Sequence, residues 1–402
     1  LLVFAGVNES RMPKTIAITP SWYWPEYIDR VAGIPPFTVN ELCIDRHARL
    51  QPDATAIVAA SGQVSYAQLQ QRVSSAAHLL QEKAGEPARV VMKGELSLDA
   101  VVVLLGCLAQ GLQLRIAAAD DDVEGAAREY GANLIITDCA EFNVDGPGAD
   151  VAAATDALQT QMDCTRPVIT IAGRRGLASH SHRSLLATAI SCTTFLHPLA
   201  ERPWLATLPL DRWEGLASVL LPLFAGVPLV ISSANVEQFV QTIQEQQPGY
   251  AILDLDTATL ATREARRAVR RARDILDSML LCTQGAFDPG DRQRVGKSFR
   301  CATLTLFGLA ETGAVFASHP QWYLDESVGI PITNAHVVPS DPRNGSPIQT
   351  LWELVESAEV TVKGPMLMCA GEDDASHFTD GRFRTGVIAS SDANGMIYLL
   401  PD

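Results

Sequence analysis

Apolar and polar positions follow two patterns along the chain, and the change falls near residue 320. From residue 37 onward, short apolar runs such as ARVVMKG and ANLIITD alternate with segments such as YAQLQQRVSSAAHLL, whose apolar positions recur every three or four residues. The first pattern predicts buried strands and the second predicts amphipathic helices. Strands and helices that alternate with short links are typical of a mostly parallel sheet with helices on both faces, so the predicted fold class is α/β.

After residue 320 the chain consists of short alternating segments separated by turns, among them AHVVPS, EVTVKGP and RFRTGVIAS. This pattern predicts a small all-β unit. The first 36 residues are irregular and contain scattered prolines. We therefore predict an N-terminal arm or linker over residues 1–36, an α/β core with two sub-lobes over 37–320, and a small, barrel-like β unit over 321–402.

The composition is that of a globular chain, with 47% hydrophobic and 19% charged residues. A net charge of −15 argues against a nucleic-acid partner, because phosphate binding needs a basic face. The one basic run, REARRAVRRAR, covers residues 263–273 and has arginines at helical spacing. We interpret it as the solvated face of a helix rather than as a binding stripe.

Eight cysteines are scattered through the chain, and no two of them form a CxxC pair. We therefore predict buried free thiols in a reducing compartment, rather than disulfides or a metal site. No apolar run reaches the roughly 18 residues that a membrane-spanning helix requires, and the opening LLVFAGV is too short for a signal peptide. A cytoplasmic protein without a membrane partner is expected, and the start at Leu1 favours a piece of a longer protein.

The stretch TIAGRRGLASHSHRSL, residues 170–185, runs from a strand through a glycine-flanked loop into a helix, which is the layout of a phosphate cradle. Between Gly173 and Gly176 it carries Arg174 and Arg175, and it has no lysine. Arginines can hold phosphate bidentately, but they are also common as solvated loop charges. The adjacent His-Ser-His at residues 180–182 does not have the spacing of a catalytic triad, so a loop or helix-cap role is predicted.

Seven short motifs, in order, carry a resemblance to the adenylate-forming superfamily of acyl-CoA synthetases, luciferases and nonribosomal peptide synthetase adenylation domains. They are QPDATAIV with VSYAQLQQRV, LLGCLAQGLQL, LPLFAGVPLVI, FGLAETGAV, SVGIPI, EVTVKGPMLMCAG and FTDGRFRTGV. The resemblance covers about residues 37–402. It implies the large N-terminal core of that superfamily, without the small C-terminal domain that bears the catalytic lysine.

In that superfamily a substrate carboxylate attacks the ATP α-phosphate, which requires donors and a Mg²⁺ ligand around the phosphates. The resemblance implies that Phe307 lies against adenine, that Glu311 is the magnesium carboxylate, and that Thr312 follows it as in the family. The loop TQGAF, residues 283–287, would border the adenine and acyl pockets. The implied ancestral nucleotide site therefore comprises Phe307, Gly308, Glu311, Thr312, Gln284, Gly285, Gly173, Arg174, Arg175 and Gly176.

Several positions depart from the family pattern. The family loop reads roughly TSGSTGxPKG, whereas this chain has Ala172, Arg174 and Arg175 in place of hydroxyls, and its lysine position falls near Ser179. Valine stands where the family has a ribose-binding aspartate, at Val387, and Asp402 stands where it has an arginine. Two ribose hydroxyls buried without partners would cost about 1–3 kcal/mol each. Asp211-Arg212 replaces an aromatic-His pair, and Ala310 replaces a threonine.

Three functions remain open. The favoured one is a degenerate adenylation-like core without cofactors, acting as a structural or docking platform beside neighbouring domains or a carrier protein in a peptide or polyketide assembly line. The second is a divergent but active acyl- or aminoacyl-adenylating ligase that uses ATP, Mg²⁺ and a small carboxylic acid, with Arg174 and Arg175 replacing the lysine and a separate C-terminal domain. The third is a binding module that keeps only the acyl pocket.

Overall fold

The computed structural model describes residues 19, 23–85, 88–143, 163–197, 202–233, 235–283, 285–319, 321–348, 355–370 and 376–401. Two predicted site residues, Gln284 and Asp402, lie outside the described residues. The described strands are β1 Thr55–Ala59, β2 Gly62–Ser65, β3 Arg89–Lys93, β4 Gln113–Ala117, β5 Leu134–Ile136, β6 Pro167–Gly173, β7 Gly176–Ser181, β8 Trp204–Ala206, β9 Leu229–Ile231, β10 Tyr250–Asp254, β11 Ser278–Thr283, β12 Ala302–Leu309, β13 Gly313–Ala317, β14 Ile330–Pro331, β15 His336–Ser340, β16 Val355–Lys363, β17 Phe378–Thr379, β18 Arg382–Ser391 and β19 Ile397–Leu399.

Helices alternate with these strands up to β12. The described α-helices are α1 Arg46–Leu50, α2 Tyr66–Ala84, α3 Leu98–Gln110, α4 Val123–Tyr130, α5 His182–Leu196, α6 Trp213–Ala225, α7 Val236–Gln246, α8 Leu255–Glu264, α9 Arg266–Arg271 and α10 Pro289–Phe299. A π-helical turn at Glu41–Asp45 precedes α1, and a 3₁₀ turn at Cys139–Phe142 follows β5.

The strands form three sheets. The first has the order β14-β13-β12-β11-β10-β8-β9-β1-β2, and its central six strands, from β12 to β1, are parallel. The second has the order β5-β3-β4-β6-β7, with only β7 antiparallel. The third is antiparallel, in the order β15-β16-β18-β17 with β19 also paired to β18. The predicted α/β class is confirmed.

The main apolar core lies between the two large sheets and the helices that cover them. The sequence of helix α3 is continuously apolar because residues 100–108 are buried on all sides. Ser97 caps its first turn by accepting from Ala100 N, and Gly111 ends it in the left-handed conformation.

The third sheet begins at His336, and the short strand β14 before it still pairs with β13 of the first sheet. It packs against the first sheet through an apolar cluster that includes Val337 and Val360 of the third sheet and Phe316 of β13. The division into three parts remains a prediction.

The arginine-rich stretch differs from the single helix that its spacing predicts. Ala265 leaves helical geometry, with φ −104° and ψ 35°, and separates α8 from α9. The break lets Val269 enter the core beside α7 and α10 while the neighbouring arginines stay outside.

None of the eight cysteines, all of which lie in the described part of the chain, forms a disulfide; four of them are buried, whereas Cys139, Cys164, Cys301 and Cys369 are partly exposed. Burial raises the pKa of the Cys43 thiol to about 12, so this side chain behaves as an apolar group. Within the described part of the chain, no helix is both long and apolar enough to cross a bilayer.

Candidate functional site

The stretch that resembles a phosphate-binding loop is a tight β-hairpin. Strands β6 and β7 pair antiparallel up to a final pair, Gly173 with Gly176, so that only Arg174 and Arg175 form the connection. The predicted layout of strand, glycine loop and helix is therefore wrong, because residues 176–181 form a second strand. A two-residue connection has no room to wrap around three phosphates.

The position nearest the family lysine is built into this hairpin. Ser179 lies in β7, and its hydroxyl is 2.9 Å from the Thr170 hydroxyl on β6. Its carbonyl accepts from Cys369 N at 2.7 Å. The position carries no cation, and its polar groups already have protein partners.

Glu311, the predicted magnesium ligand, supports the hairpin turn. It lies in the connection between β12 and β13 and is only 2% exposed. Its Oε1 accepts from the Arg175 backbone N–H at 2.8 Å, whereas its Oε2 has no partner among the described residues. A Cβ added to Gly173 would lie 2.6 Å from Oε1, so glycine is what lets the hairpin approach this carboxylate.

The Arg175 side chain extends from the hairpin to the third sheet. Its Nη1 lies 3.1 Å from His377 Nδ1, and its Nη2 lies 3.9 Å from Glu359 Oε1. A Cβ on Gly386 would lie 2.6 Å from Nη2, which places the guanidinium directly against the turn at residues 385–387. Arg175 therefore fills space beside the segment that resembles the ribose-binding turn.

Glu359 on β16 contacts the guanidinium groups of both Arg175 and Arg384. It is 2% exposed, and its Oε2 accepts from Arg384 Nη2 at 2.6 Å and from Arg384 Nε at 3.1 Å. Its Oε1 accepts from the backbone N–H of Gly386 at 3.0 Å. These hydrogen bonds fix the positions of the Arg384 guanidinium and of the turn at Gly386.

The two residues expected beside adenosine are part of an apolar cluster. Val387 is 4% exposed and belongs to the same cluster as Phe307 and Phe316. The Phe307 ring is stacked on Phe316, with ring centroids 5.9 Å apart and an interplanar angle of 23°. Because Phe307 is only 1% exposed, protein atoms already cover the ring that would face adenine.

The other retained motif residues close a turn. Thr312 is fully buried; its hydroxyl accepts from Leu309 N at 3.1 Å and donates to Gly313 O at 2.9 Å. Gly308 pairs with Ala314 in the sheet. Gly285 N donates to the Thr283 hydroxyl at 3.4 Å.

The His-Ser-His segment has the predicted cap role. The Ser181 hydroxyl accepts from Ser184 N, and Ser184 reciprocates, forming a capping box at the start of α5. His180 Nε2 lies 2.6 Å from Ala310 O, and His182 Nδ1 accepts from Val39 N at 3.2 Å. Burial lowers the pKa of His182 to about 4 and also lowers the pKa of His180, so both rings are neutral at pH 7.

The Asp211-Arg212 pair lies at the start of α6, next to a buried carboxylate. Arg212 Nη2 is 3.3 Å from Glu214 Oε1, and Glu214 is 1% exposed. Burial raises the pKa of Asp211. Asp211 Oδ1, Arg212 Nε and Trp213 Nε1 are buried without a partner among the described residues.

One atom of this site fits Mg²⁺, but the donor set does not fit a triphosphate. The unpaired Glu311 Oε2 is the kind of oxygen that a divalent cation prefers. The described residues contain no group of three or more His, Cys, Asp or Glu side chains placed to hold a metal. The hairpin turn bears no hydroxyl or lysine, and Val387 offers no acceptor for ribose.

Glu359 and His377 were not predicted from the sequence, and His180 was predicted only to have a loop or helix-cap role, although all three hold this corner together. Glu359 could have been identified from the sequence, because it is the first residue of the run EVTVKG and occupies a position where a strand buries its side chain. His377 and His180 left no such signal, since their partners are separated from them by 202 and 130 residues.

The fold and the arrangement of these motifs define a core of the adenylate-forming type. The AMP-binding enzyme family matches residues 44–177 and 172–369, and the chain belongs to this family.

Sequence relatives are distant. The chain is 24% identical over 393 residues to a 2-succinylbenzoate–CoA ligase of Bacillus licheniformis, covering 89% of this chain and 78% of that protein. It is 28% identical over 165 residues to the nonribosomal peptide synthetase rstn8 of Penicillium ochrochloron, covering 39% of this chain and 8% of that protein.

Solved structures share the fold. A luciferase-like enzyme from the mealworm Zophobas morio has a TM-score of 0.78 at 15% identity, covering 93% of this chain and 97% of that chain. The o-succinylbenzoate coenzyme A synthetase of Bacillus subtilis, solved with ATP and magnesium, has a TM-score of 0.74 at 17% identity, covering 89% and 79%. VinN has a TM-score of 0.76 at 19% identity, covering 91% and 99%.

Proposed function

We propose that this chain is an adenylation-type core that has lost ATP chemistry and serves as a structural or docking platform in a multidomain synthetase, such as a peptide or polyketide assembly line. One observation carries the proposal. The hairpin tip, through Arg175, contacts Glu311, Glu359 and His377, so groups of the chain itself occupy the corner that resembles the nucleotide site.

The chemistry of the ribose position supports the same conclusion. Val387 lies in an apolar cluster, so nucleotide hydroxyls placed there would lose their hydrogen bonds to water and gain none. Each unpaired hydroxyl costs about 1–3 kcal/mol, and about 5 kcal/mol in total weakens binding several-thousand-fold. The missing hydroxyls and lysine of the hairpin add to this loss.

The proposed multidomain setting rests on two observations. The partial match to a nonribosomal peptide synthetase aligns this chain with only 8% of that protein, so the matched segment there is one part of a much larger chain. The motifs also resemble adenylation domains. The neighbours proposed for this core are therefore other synthetase domains or a carrier protein, in a soluble cytoplasmic setting.

Thermal shift with Mg-ATP tests the proposal directly. A ligand at 100 times its Kd stabilises a protein by about 2.7 kcal/mol, which shifts Tm by several degrees. We expect a shift below about 1 °C with this chain, and a clear shift with the Bacillus licheniformis ligase in the same buffer. ATP–pyrophosphate exchange should be absent with any acid tested. A clear Mg-ATP shift of the wild-type chain would overturn the proposal.

An Arg175→Ala variant distinguishes a nucleotide site that has been lost from one that is intact but blocked by the Arg175 side chain. This variant removes the side chain that fills the corner but leaves Val387 and the two-residue turn unchanged. If the site is lost, the variant still shows no Mg-ATP shift. If the variant gains a shift that the wild type lacks, Arg175 closes a functional site and the proposal of lost chemistry is wrong.

Two observations favour a divergent active ligase as the second candidate. Glu311 Oε2 is buried and unpaired, which suits a cation, and the Bacillus licheniformis ligase aligns over most of the chain. In this reading Arg174 and Arg175 replace the lysine, and ATP, Mg²⁺ and a small carboxylic acid are bound with the help of a separate C-terminal domain. Glu311→Gln keeps an acceptor for Arg175 N but removes the charge, so it should abolish exchange activity.

A further inference from the structure

Helix α9 exposes four arginines that have no partner among the described residues. Arg266, Arg267, Arg270 and Arg271 are all exposed, and within the described part of the chain none of their guanidinium groups makes a hydrogen bond or an ion pair. They form two i,i+4 rows, Arg266 with Arg270 and Arg267 with Arg271. Like charges at this spacing repel each other, so this arrangement costs stability that a mixed surface would avoid.

The opposite side of α9 is anchored, which holds the arginines in place. Val269 is buried in a cluster with Phe239 of α7 and Val295 of α10. Gln244 Nε2 donates to Ala268 O at 3.1 Å. The guanidinium groups therefore project from a fixed helix.

Neighbouring helices extend the positive surface. Arg263 at the end of α8, with Arg294 and Lys297 of α10, is also exposed. Asp291 bonds both Arg263 and Arg294 and brings α8 and α10 together, but it neutralises only one charge. We call the surface formed by Arg263, Arg266, Arg267, Arg270, Arg271, Arg294 and Lys297 the α9 basic surface.

The charge of this segment is opposite to that of the rest of the chain. Residues 263–300 hold ten of the 31 basic and five of the 46 acidic residues, so they carry a net charge of +5, whereas the remainder carries −20. Such asymmetry orients an acidic partner toward one face and repels it from the others.

We infer that the α9 basic surface, which the sequence alone led us to interpret as a solvated helix face, docks an acidic helix of a protein partner. Guanidinium groups bind carboxylates bidentately, and two parallel i,i+4 rows of arginine match glutamates or aspartates on consecutive turns of a helix. A nucleic acid fits less well, because the remainder of the chain carries a net charge of −20 and repels phosphates that extend beyond the α9 basic surface. The inference rests on the proposed role as a docking platform, and it names the surface and partner chemistry for that role.

Fluorescence anisotropy with three probes tests the inference. The first is a helical peptide with glutamates at i,i+4 spacing, the second has the same composition with a central proline, and the third is a short DNA duplex. We expect the helical peptide to bind most tightly and to weaken as salt rises. Arg267→Glu with Arg271→Glu should weaken it about tenfold or more.

The control is a charge change of equal size elsewhere. Arg166, just before β6, and Arg183, in the first turn of α5, are exposed and lie outside residues 263–300. The double variant Arg166→Glu with Arg183→Glu changes the net charge by the same amount. This variant should bind the helical peptide within about twofold of the wild type. Unchanged melting temperatures would show that both variants are folded.

Three results would overturn the inference: no binding of the helical peptide, equal loss of affinity in the control variant, or tighter binding of the DNA duplex. A Mg-ATP shift measured on the same samples reports separately on the proposed loss of ATP chemistry. Failure of peptide binding without an ATP shift would therefore contradict docking at this surface and leave that loss intact.

Discussion

Two sets of arginines in this molecule have opposite surroundings. Arg175 lies between the hairpin and the third sheet, beside His377 and the buried carboxylate of Glu359, with its backbone N–H bound by Glu311. The arginines of α9, at residues 266–271, face solvent without any partner in the described residues. The difference indicates that one set holds the chain together, whereas the other is available to a second molecule.

The largest expected effect comes from removing the carboxylate of Glu359, which contacts both Arg175 and Arg384. Glu359→Ala would leave Arg384, the Gly386 N–H and Arg175 without their shared acceptor. Because Glu359 is buried and the arginines are partly exposed, we expect the free energy of unfolding to fall by about 3 kcal/mol in urea titrations. A loss below about 1 kcal/mol would mean that the contacts of Glu359 with the two arginines do not hold the third sheet in place.

The buried histidine His182 should make stability depend on pH, whereas the arginines stay charged throughout. Burial holds the pKa of His182 at about 4, against 6.5 for an unfolded chain, so the unfolded state binds the extra proton first. Stability is therefore fully present above pH 6.5 and is lost as the pH falls toward 4. We expect a loss of about 2 kcal/mol from this residue between about pH 7 and pH 5 in chemical denaturation.

His182→Asn provides the control for that pH dependence. An asparagine carbonyl can still accept from Val39 N, but it does not titrate. The variant should show a shallower loss of stability over the same pH range, whatever its stability at pH 7. An unchanged slope would assign the pH dependence to other groups.

Glu311→Ala should have a smaller effect. It leaves the Arg175 backbone N–H without an acceptor at the hairpin turn, which costs about 1–2 kcal/mol. Glu311→Gln retains the acceptor and should lower the free energy of unfolding by less than about 1 kcal/mol, measured by urea titration for both variants. Equal losses for the two variants would indicate that the negative charge matters more than the hydrogen bond to the hairpin.

The smallest effect, and one of opposite sign, is expected at α9. Arg266→Glu places a carboxylate in the first turn and four residues before Arg270, which replaces repulsion by attraction. We expect the free energy of unfolding to rise by about 0.5 kcal/mol, with Arg166→Glu as the matched control. A clear loss of stability would mean that Arg266 has a structural role like that of Arg175.

Local patterns were enough to predict much of the fold. The cap at Ser181 was predicted because a polar residue precedes an apolar helical run. The alternating strands and helices led to the α/β class, and the order of seven motifs led to the superfamily. Each of these signals lies within one element or in the succession of neighbouring elements.

Other features were predicted wrongly or not at all, because their causes are distant in sequence. Residues 176–181 form a strand, since they pair with β6 and their hairpin approaches Glu311, 136 residues away from Arg175. The arginine stretch is split at Ala265 because Val269 packs into a cluster shared by four helices. The roles assigned to Phe307, Thr312 and the hairpin arginines remain predictions.

The sequence by itself determined the α/β class and the family, because these depend on residue type, local periodicity and the order of the motifs. Only the tertiary structure decided which groups meet at the corner that resembles the nucleotide site. Arg175, Glu311 and Glu359 come from three separate segments, and they meet because the hairpin, the first sheet and the third sheet converge at one corner. A buried carboxylate must find donors somewhere in the folded chain, and the fold, not the local sequence, selects which ones.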